Sequence, residues 1–181
     1  MALERQQVTL EQFEAFLAQP ENAERRFELI DGEIVEKMVT FKHGKIVTNI
    51  VGEFYIYLKA NPIAEMAVEA RHRADLFTDL LPDISVMLNG YAIPERGPVM
   101  RMPDLAVEVK SPDDRMKELR RKADYYLAHG TGIVWLVIPE KRLVTVLTAD
   151  DEVFMTATDT LTGDPLLPGF TLPVADIFRG I

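Results

Sequence analysis

The sequence predicts an α/β fold: a central mixed β-sheet flanked by helices, with additional β-hairpins towards both ends. Three observations carry this expectation. Apolar residues recur at helical spacing in three separate stretches. Short strand-like runs lie before, between and after them. The longest apolar run, Ile133 to Ile138, has the length and character of a buried strand.

The elements follow in order. Thr9-Leu-Glu-Gln12 has the form of a capping box, and Leu10, Phe13, Phe16 and Leu17 continue at helical spacing, so a short helix is expected over Thr9 to Gln19. Phe27 to Val35 holds two strands around Asp31-Gly32, a strong hairpin signal. From His43 to Lys59 an apolar stripe formed by Ile46, Ile50, Val51, Phe54, Tyr57 and Leu58 predicts a second helix, closed by Asn61-Pro62. Strands are expected at Ala67–Ala70, Ala74–Phe77 and Asp83–Leu88, followed by a loop to about Pro103 and a strand over Asp104–Lys110. Ser111-Pro112-Asp113-Asp114 combines a capping residue, a proline suited to the first helical position and two acids that favour the positive end of the dipole. A third helix is expected to start there and to end at Gly130. Gly132–Ile138 and Leu143–Leu147 read as strands joined through Pro139–Arg142. A hairpin-like region and a short helical turn over Val174–Phe178 finish the chain.

The chain of 181 residues suits a single domain, 1–181, and 48% hydrophobic residues is an ordinary globular share. There are no cysteines, which excludes disulfides, thiolate zinc sites and cysteine nucleophiles. The N-terminus is polar at once and no apolar run approaches membrane-spanning length, so a soluble cytoplasmic protein is expected. Net charge is −9, which speaks against coating nucleic acid through the whole surface. The charge is unevenly spread: residues 101–142 carry +2 and the remainder −11.

Two segments carry chemistry, Pro82-Asp83-Ile84 and Val107-Glu108-Val109-Lys110. If their strands are antiparallel neighbours in the simplest register, Asp83 lies opposite Val109. It then sits about 3.3 Å along the strand from both Glu108 and Lys110, which share a face. Two carboxylates and an ammonium at the end of an apolar hairpin are costly to bury unless they are paired or bind an ion. A hard cation such as Mg²⁺ takes one or two carboxylates plus water and substrate phosphate, and would acidify a water there. Lys110 would orient that water or stabilise developing charge. The bland alternative is a solvated strand edge or a Glu108–Lys110 ion pair.

Pro82-Asp83, twenty-four intervening residues and then Glu108-Val109-Lys110 resembles the signature of the PD-(D/E)XK nuclease superfamily. The wider set is similar in order to the Uma family of restriction-type endonucleases. It comprises Phe27-Glu-Leu-Ile-Asp-Gly-Glu, His43, Pro82-Asp-Ile-Ser-Val, Pro103-Asp-Leu-Ala-Val-Glu-Val-Lys-Ser-Pro, Lys122 with Tyr125, Gly132-Ile-Val-Trp-Leu-Val and Leu167-Pro-Gly-Phe-Thr-Leu-Pro. The resemblance implies a restriction-endonuclease-like core and Mg²⁺- or Mn²⁺-dependent hydrolysis of phosphodiester bonds in DNA, carried out by a homodimer. It makes Asp83 and Glu108 metal ligands, with the Val109 carbonyl as a third, and Lys110 the catalytic lysine. Many family members carry an apolar residue where Lys110 stands, so Lys122 enters as its helper or substitute.

Other residues are weighed beside these. An early acid often completes such sites in related nucleases; of Glu28 and Glu33, which flank the hairpin turn, Glu33 is the preferred candidate. His43, at a helix start, could touch phosphate. Arg115, Lys117, Arg120, Arg121 and Lys122 form a basic run that could track a phosphate backbone or simply face solvent. Asp104 is expected to cap the start of its strand, and Trp135 to lie in the core. The alternatives to a nuclease are an inactive module of the same fold that binds DNA or a protein partner, and a structural dimerisation protein.

Overall fold

The computed structural model describes residues 7–181. Thr9 caps the first helix, α1 (Leu10–Leu17), with both halves of the capping box formed. The hairpin joins β1 (Phe27–Ile30) to β2 (Glu33–Glu36) through Asp31 and Gly32, both at positive φ (50° and 76°), the geometry that matches the twist of paired strands. Next come α2 (Phe41–Ala60), β3 (Ala64–Val68), β4 (His72–Arg73), β5 (Asp79–Leu80), β6 (Ile84–Leu88), β7 (Leu105–Val109) and α3 (Met116–Ala128). The chain ends with β8 (Ile133–Ile138), β9 (Leu143–Leu147), β10 (Glu152–Met155), β11 (Thr160–Gly163), β12 (Leu167–Pro173) and α4 (Val174–Ile177).

Six strands form the central sheet in the order β10-β9-β8-β7-β6-β3. Only β7 and β8 run parallel, and α3 is the crossover between them; the other pairs are antiparallel, so the sheet is mixed. A smaller sheet, β2-β1-β5-β4, and a hairpin, β11-β12, complete the fold. Strand alternation divides the core in two. Ile84, Val86, Leu105, Val107, Trp135 and Val137 pack towards α2, α4 and β12, where Phe54 stacks between Trp135 and Phe170. Ala106, Val134, Leu136 and Ile138 pack towards Leu119, Ala123 and Tyr126 of α3.

The structure corrects three local expectations. Ala74–Phe77 is not a strand; its carbonyls accept hydrogen bonds from Leu10 N and Gly32 N, and Leu76 and Phe77 are exposed. The third helix begins at Met116, not at Ser111. Residues 111–114 form a turn in which Ser111 N donates to Asp114 Oδ2, and the Ser111 hydroxyl donates to Met38 O instead of capping. The third correction concerns register. Ile84 pairs with Val107 and Ser85 with Ala106, which sets Asp83 level with Glu108, not Val109. The core dictates this, because Ile84 and Val86 must share a face with Leu105 and Val107.

Candidate active site

The corrected register matters because a one-residue slip exchanges the faces of a strand. Asp83 and Glu108 thus point to the same side, at one end of the β6–β7 pair. Around them the chain builds a small cavity of about 40 Å³, also lined by Glu28, Lys37, His43 and Lys122. Each element supplies one or two groups. Glu28 comes from β1, Lys37 from just beyond β2, His43 from the first turn of α2, and Lys122 and Tyr126 from one face of α3.

Asp83 Oδ1 lies 2.7 Å from Lys37 Nζ and 3.0 Å from His43 Nε2, while Oδ2 accepts Val109 N–H at 2.6 Å. Burial works to raise its pKa, but the Lys37 charge and the bonds from His43 and Lys37 outweigh burial and hold it below the usual carboxylate range. Glu108 behaves oppositely. Burial raises its pKa, only partly offset by Lys122 and Lys37. Its Oε1 accepts from Tyr126 at 2.7 Å and lies 2.6 Å from Lys122 Nζ; its Oε2 has no hydrogen-bond partner among the described residues. Lys122 Nζ also reaches Glu28 Oε1 at 2.8 Å. For both Lys37 and Lys122 burial works to lower the pKa, but the surrounding carboxylates prevail and raise it.

The hairpin also fixes the backbone that presents Asp83. Leu81 N donates to Glu28 Oε1 at 2.7 Å, and Leu81 O accepts from Lys37 Nζ at 2.6 Å. His43 is tied at its other nitrogen, with Nδ1 3.2 Å from Ser111 Oγ.

Some expected site residues are not in this group. Lys110 stands outside the cavity: Nζ bonds Ser111 O and pairs with Glu140 at 3.0 Å. The place beside Glu108 is already filled by the Lys122 ammonium, and Glu140 offers Lys110 a carboxylate elsewhere. Glu33 is exposed at the turn end of the hairpin, 3.9 Å from Arg121, while Glu28 occupies the cavity. The basic run does not form one face: Arg120 pairs with Glu152, Arg121 with Asp31, and Lys122 is buried. Val109 lines the cavity, and its N–H is the group that meets Asp83. Asp104 accepts Leu88 N–H and pairs with Arg101, fixing the strand start as expected.

Lys37 and Tyr126 were not anticipated as site residues. Lys37 was within reach of sequence reasoning. A two-residue turn at Asp31-Gly32 pairs Glu28 with Val35, and Lys37 is the next side chain on that face. Tyr126 follows Lys122 by one helical turn, but its hydroxyl partner depends on how α3 docks.

The donor set fits a hard divalent cation. Three of the lining acids, Glu28, Asp83 and Glu108, are buried, outnumbering the two ammoniums of Lys37 and Lys122, and Glu108 has an open oxygen. Among the described residues no three His, Asp or Glu side chains close at metal-holding spacing. The chain would therefore offer one or two carboxylates, as Mg²⁺ sites usually do, with water and substrate oxygens supplying the rest.

A family of known proteins matches this chain. The Uma2 family model, described as "Putative restriction endonuclease", matches residues 11–175. Among solved structures, the chain is similar to "a putative nuclease belonging to DUF820" from Anabaena variabilis ATCC 29413. The TM-score is 0.82 at 24% identity, covering 94% of this chain and 97% of that one, a likeness of fold. No curated protein matches. Among the described residues no helix is long and apolar enough to cross a membrane.

Proposed function

Because the chain belongs to the Uma2 family of putative restriction endonucleases, we propose that it hydrolyses phosphodiester bonds in DNA with Mg²⁺ or Mn²⁺ held by Asp83 and Glu108. The observation that carries this reading is the placement of these two buried carboxylates side by side on neighbouring strands, with Lys122 against Glu108. The Val109 carbonyl is the proposed third ligand. When bound, the cation would acidify a water and offset charge on the phosphate.

The chain's own groups then have distinct tasks. Lys122, not Lys110, is the ammonium placed to stabilise charge developing beside Glu108. Glu28 and Tyr126 hold Lys122 and Glu108 in position. His43 and the Val109 N–H orient Asp83, Lys37 offsets its charge, and Ser111 steadies the imidazole. We carry the single domain, the homodimer and the cytoplasmic location as parts of the same reading.

Calorimetric titration with Mn²⁺, beside nicking of supercoiled plasmid, tests it. The parent is expected to bind saturably and to nick, and Asp83→Ala and Glu108→Ala to do neither. Plasmid binding without metal binding or nicking would replace this reading with the inactive module, which the existing pairing of both acids with lysines favours.

A further inference from the structure

Beside the acid cavity lies a much larger cleft, of about 360 Å³, which shares His43 and Asp83 with it. Most of its remaining wall is apolar: Val39 just before α2, Gly44, Val47 and Val51 on α2, and Val68 at the end of β3, with the hydroxyls of Thr40 and Thr48 among them. Glu69, the other acid in the wall, is engaged by Arg26 at 2.6 Å. Val39 and Val68 are 47% and 48% exposed. Next to Val39, Met38 is 59% exposed, and Phe41, the first residue of α2, is 92% exposed. Core packing explains none of these exposures, and exposed apolar clusters at a cleft commonly mark a binding surface.

We infer that this cleft takes an unpaired nucleobase next to the phosphate that a cation on Asp83 and Glu108 would hold, so that the substrate is single-stranded or locally unpaired DNA. The inference rests on the proposed nuclease reading and adds the substrate class. The two volumes divide the labour. The small charged cavity suits a phosphate oxygen and an ion; the apolar cleft suits a flat ring. In a duplex the bases are stacked inward and paired, so a base could reach the cleft only after leaving the stack. An unpaired strand has no such cost, and a valine wall carrying the His43 ring gives any base an apolar surface, since every base has a π-face.

Gly44 allows a clean test. It lies within α2, lines the cleft, and a Cβ built there meets nothing within 4 Å. Gly44→Leu should fill the cleft, and leucine is the better helix former, so the melting temperature should equal or exceed the parent's. The probes are fluorescein-labelled oligo-dT of about twelve nucleotides, its duplex with oligo-dA, and an abasic strand of equal length that keeps the phosphates. Anisotropy in Ca²⁺, a hard cation that offsets the carboxylate charge in place of Mg²⁺ or Mn²⁺, reads binding, and a denaturing gel of the same samples confirms that the strands stay intact.

The parent should bind oligo-dT about tenfold more tightly than the duplex or the abasic strand. Gly44→Leu should erase that preference. Equal affinity for all three probes, a preference that survives Gly44→Leu, or no binding at all would overturn the inference. Mn²⁺-dependent cleavage by the parent of a single-stranded circle and of supercoiled plasmid, run alongside, keeps the two readings apart. Cleavage of either DNA without a base preference sinks the cleft and leaves the nuclease. A base preference without cleavage of either supports the cleft while the hydrolytic reading falls.

Discussion

Lys122 reaches from α3 to place its ammonium 2.6 Å from Glu108 Oε1, while Lys110, two residues from Glu108 along the chain, pairs with Glu140. If developing charge is stabilised beside Glu108, Lys122 does it. Lys122→Gln is expected to lower the nicking rate by about 10²–10³. Lys110→Gln should change it by no more than about twofold, because Lys110 pairs with Glu140 outside the cavity. Plasmid nicking rates, with circular dichroism on the same samples to confirm the fold, check both. The reverse order of effects would return the catalytic role to Lys110.

The same ammonium neutralises two buried acids, Glu28 and Glu108, which fixes what its loss costs. Removing one partner from a buried ion pair strands the other, at about 3–5 kcal/mol. Lys122→Ala should therefore destabilise by that order in urea denaturation. Adding Glu28→Gln removes one stranded charge, so the double variant should be less destabilised than the two single changes sum to. Simple additivity would mean that water reaches the cluster and screens it.

Stability should fall at both pH extremes, for opposite reasons. The folded pKa of Asp83 is depressed, so its contribution is complete above its unfolded value, about 4, and is lost as pH falls through the folded value. Lys37 and Lys122 have raised folded values. Their contribution is complete below about 10.4 and is lost as pH rises beyond it. Glu108, raised by burial, has the opposite sign: stability rises as pH falls through its folded value towards about 4.3. The urea midpoint should therefore be flat only from above the folded Glu108 value up to about 10.4. The alkaline slope should be shallower in Lys122→Met, and an unchanged slope would show that the pair does not titrate with folding.

Local rules made much of this legible. The capping box at Thr9, the Asp31-Gly32 turn and the apolar strand over Ile133–Ile138 each depend on neighbours in sequence, and all formed. Pro82-Asp83 and Glu108 were legible as neighbours along two paired strands, but only the observed register puts both carboxylates on one face. What failed depended on competition at long range. The Ser111 hydroxyl could cap a helix or bond Met38 O, 73 residues away, and the second arrangement formed. Strand alternation gave Lys110 a face but not a partner. Lys122 and Glu28 are separated by 94 residues, and only the docking of α3 against the β1–β2 hairpin joins them. Glu33 shares a face with Glu28 by hairpin pairing, yet it sits one step nearer the turn and stays in solvent.

Lys37 has one further consequence for metal binding. Its ammonium is 2.7 Å from Asp83 Oδ1, an oxygen that the proposed cation would use. Ammonium and metal then compete, and the cation must displace a buried partner before it binds. Asp83 keeps two other bonds, from His43 and Val109 N, so it should stay in place without Lys37. Lys37→Met is thus expected to tighten Mn²⁺ binding by about tenfold, the equivalent of roughly 1.4 kcal/mol, without raising the nicking rate in proportion. Calorimetry on the parent and the variant decides this. Weaker binding in Lys37→Met would mean that the lysine holds Asp83 in its ligating position, and that its contribution to geometry exceeds its cost as a competing charge.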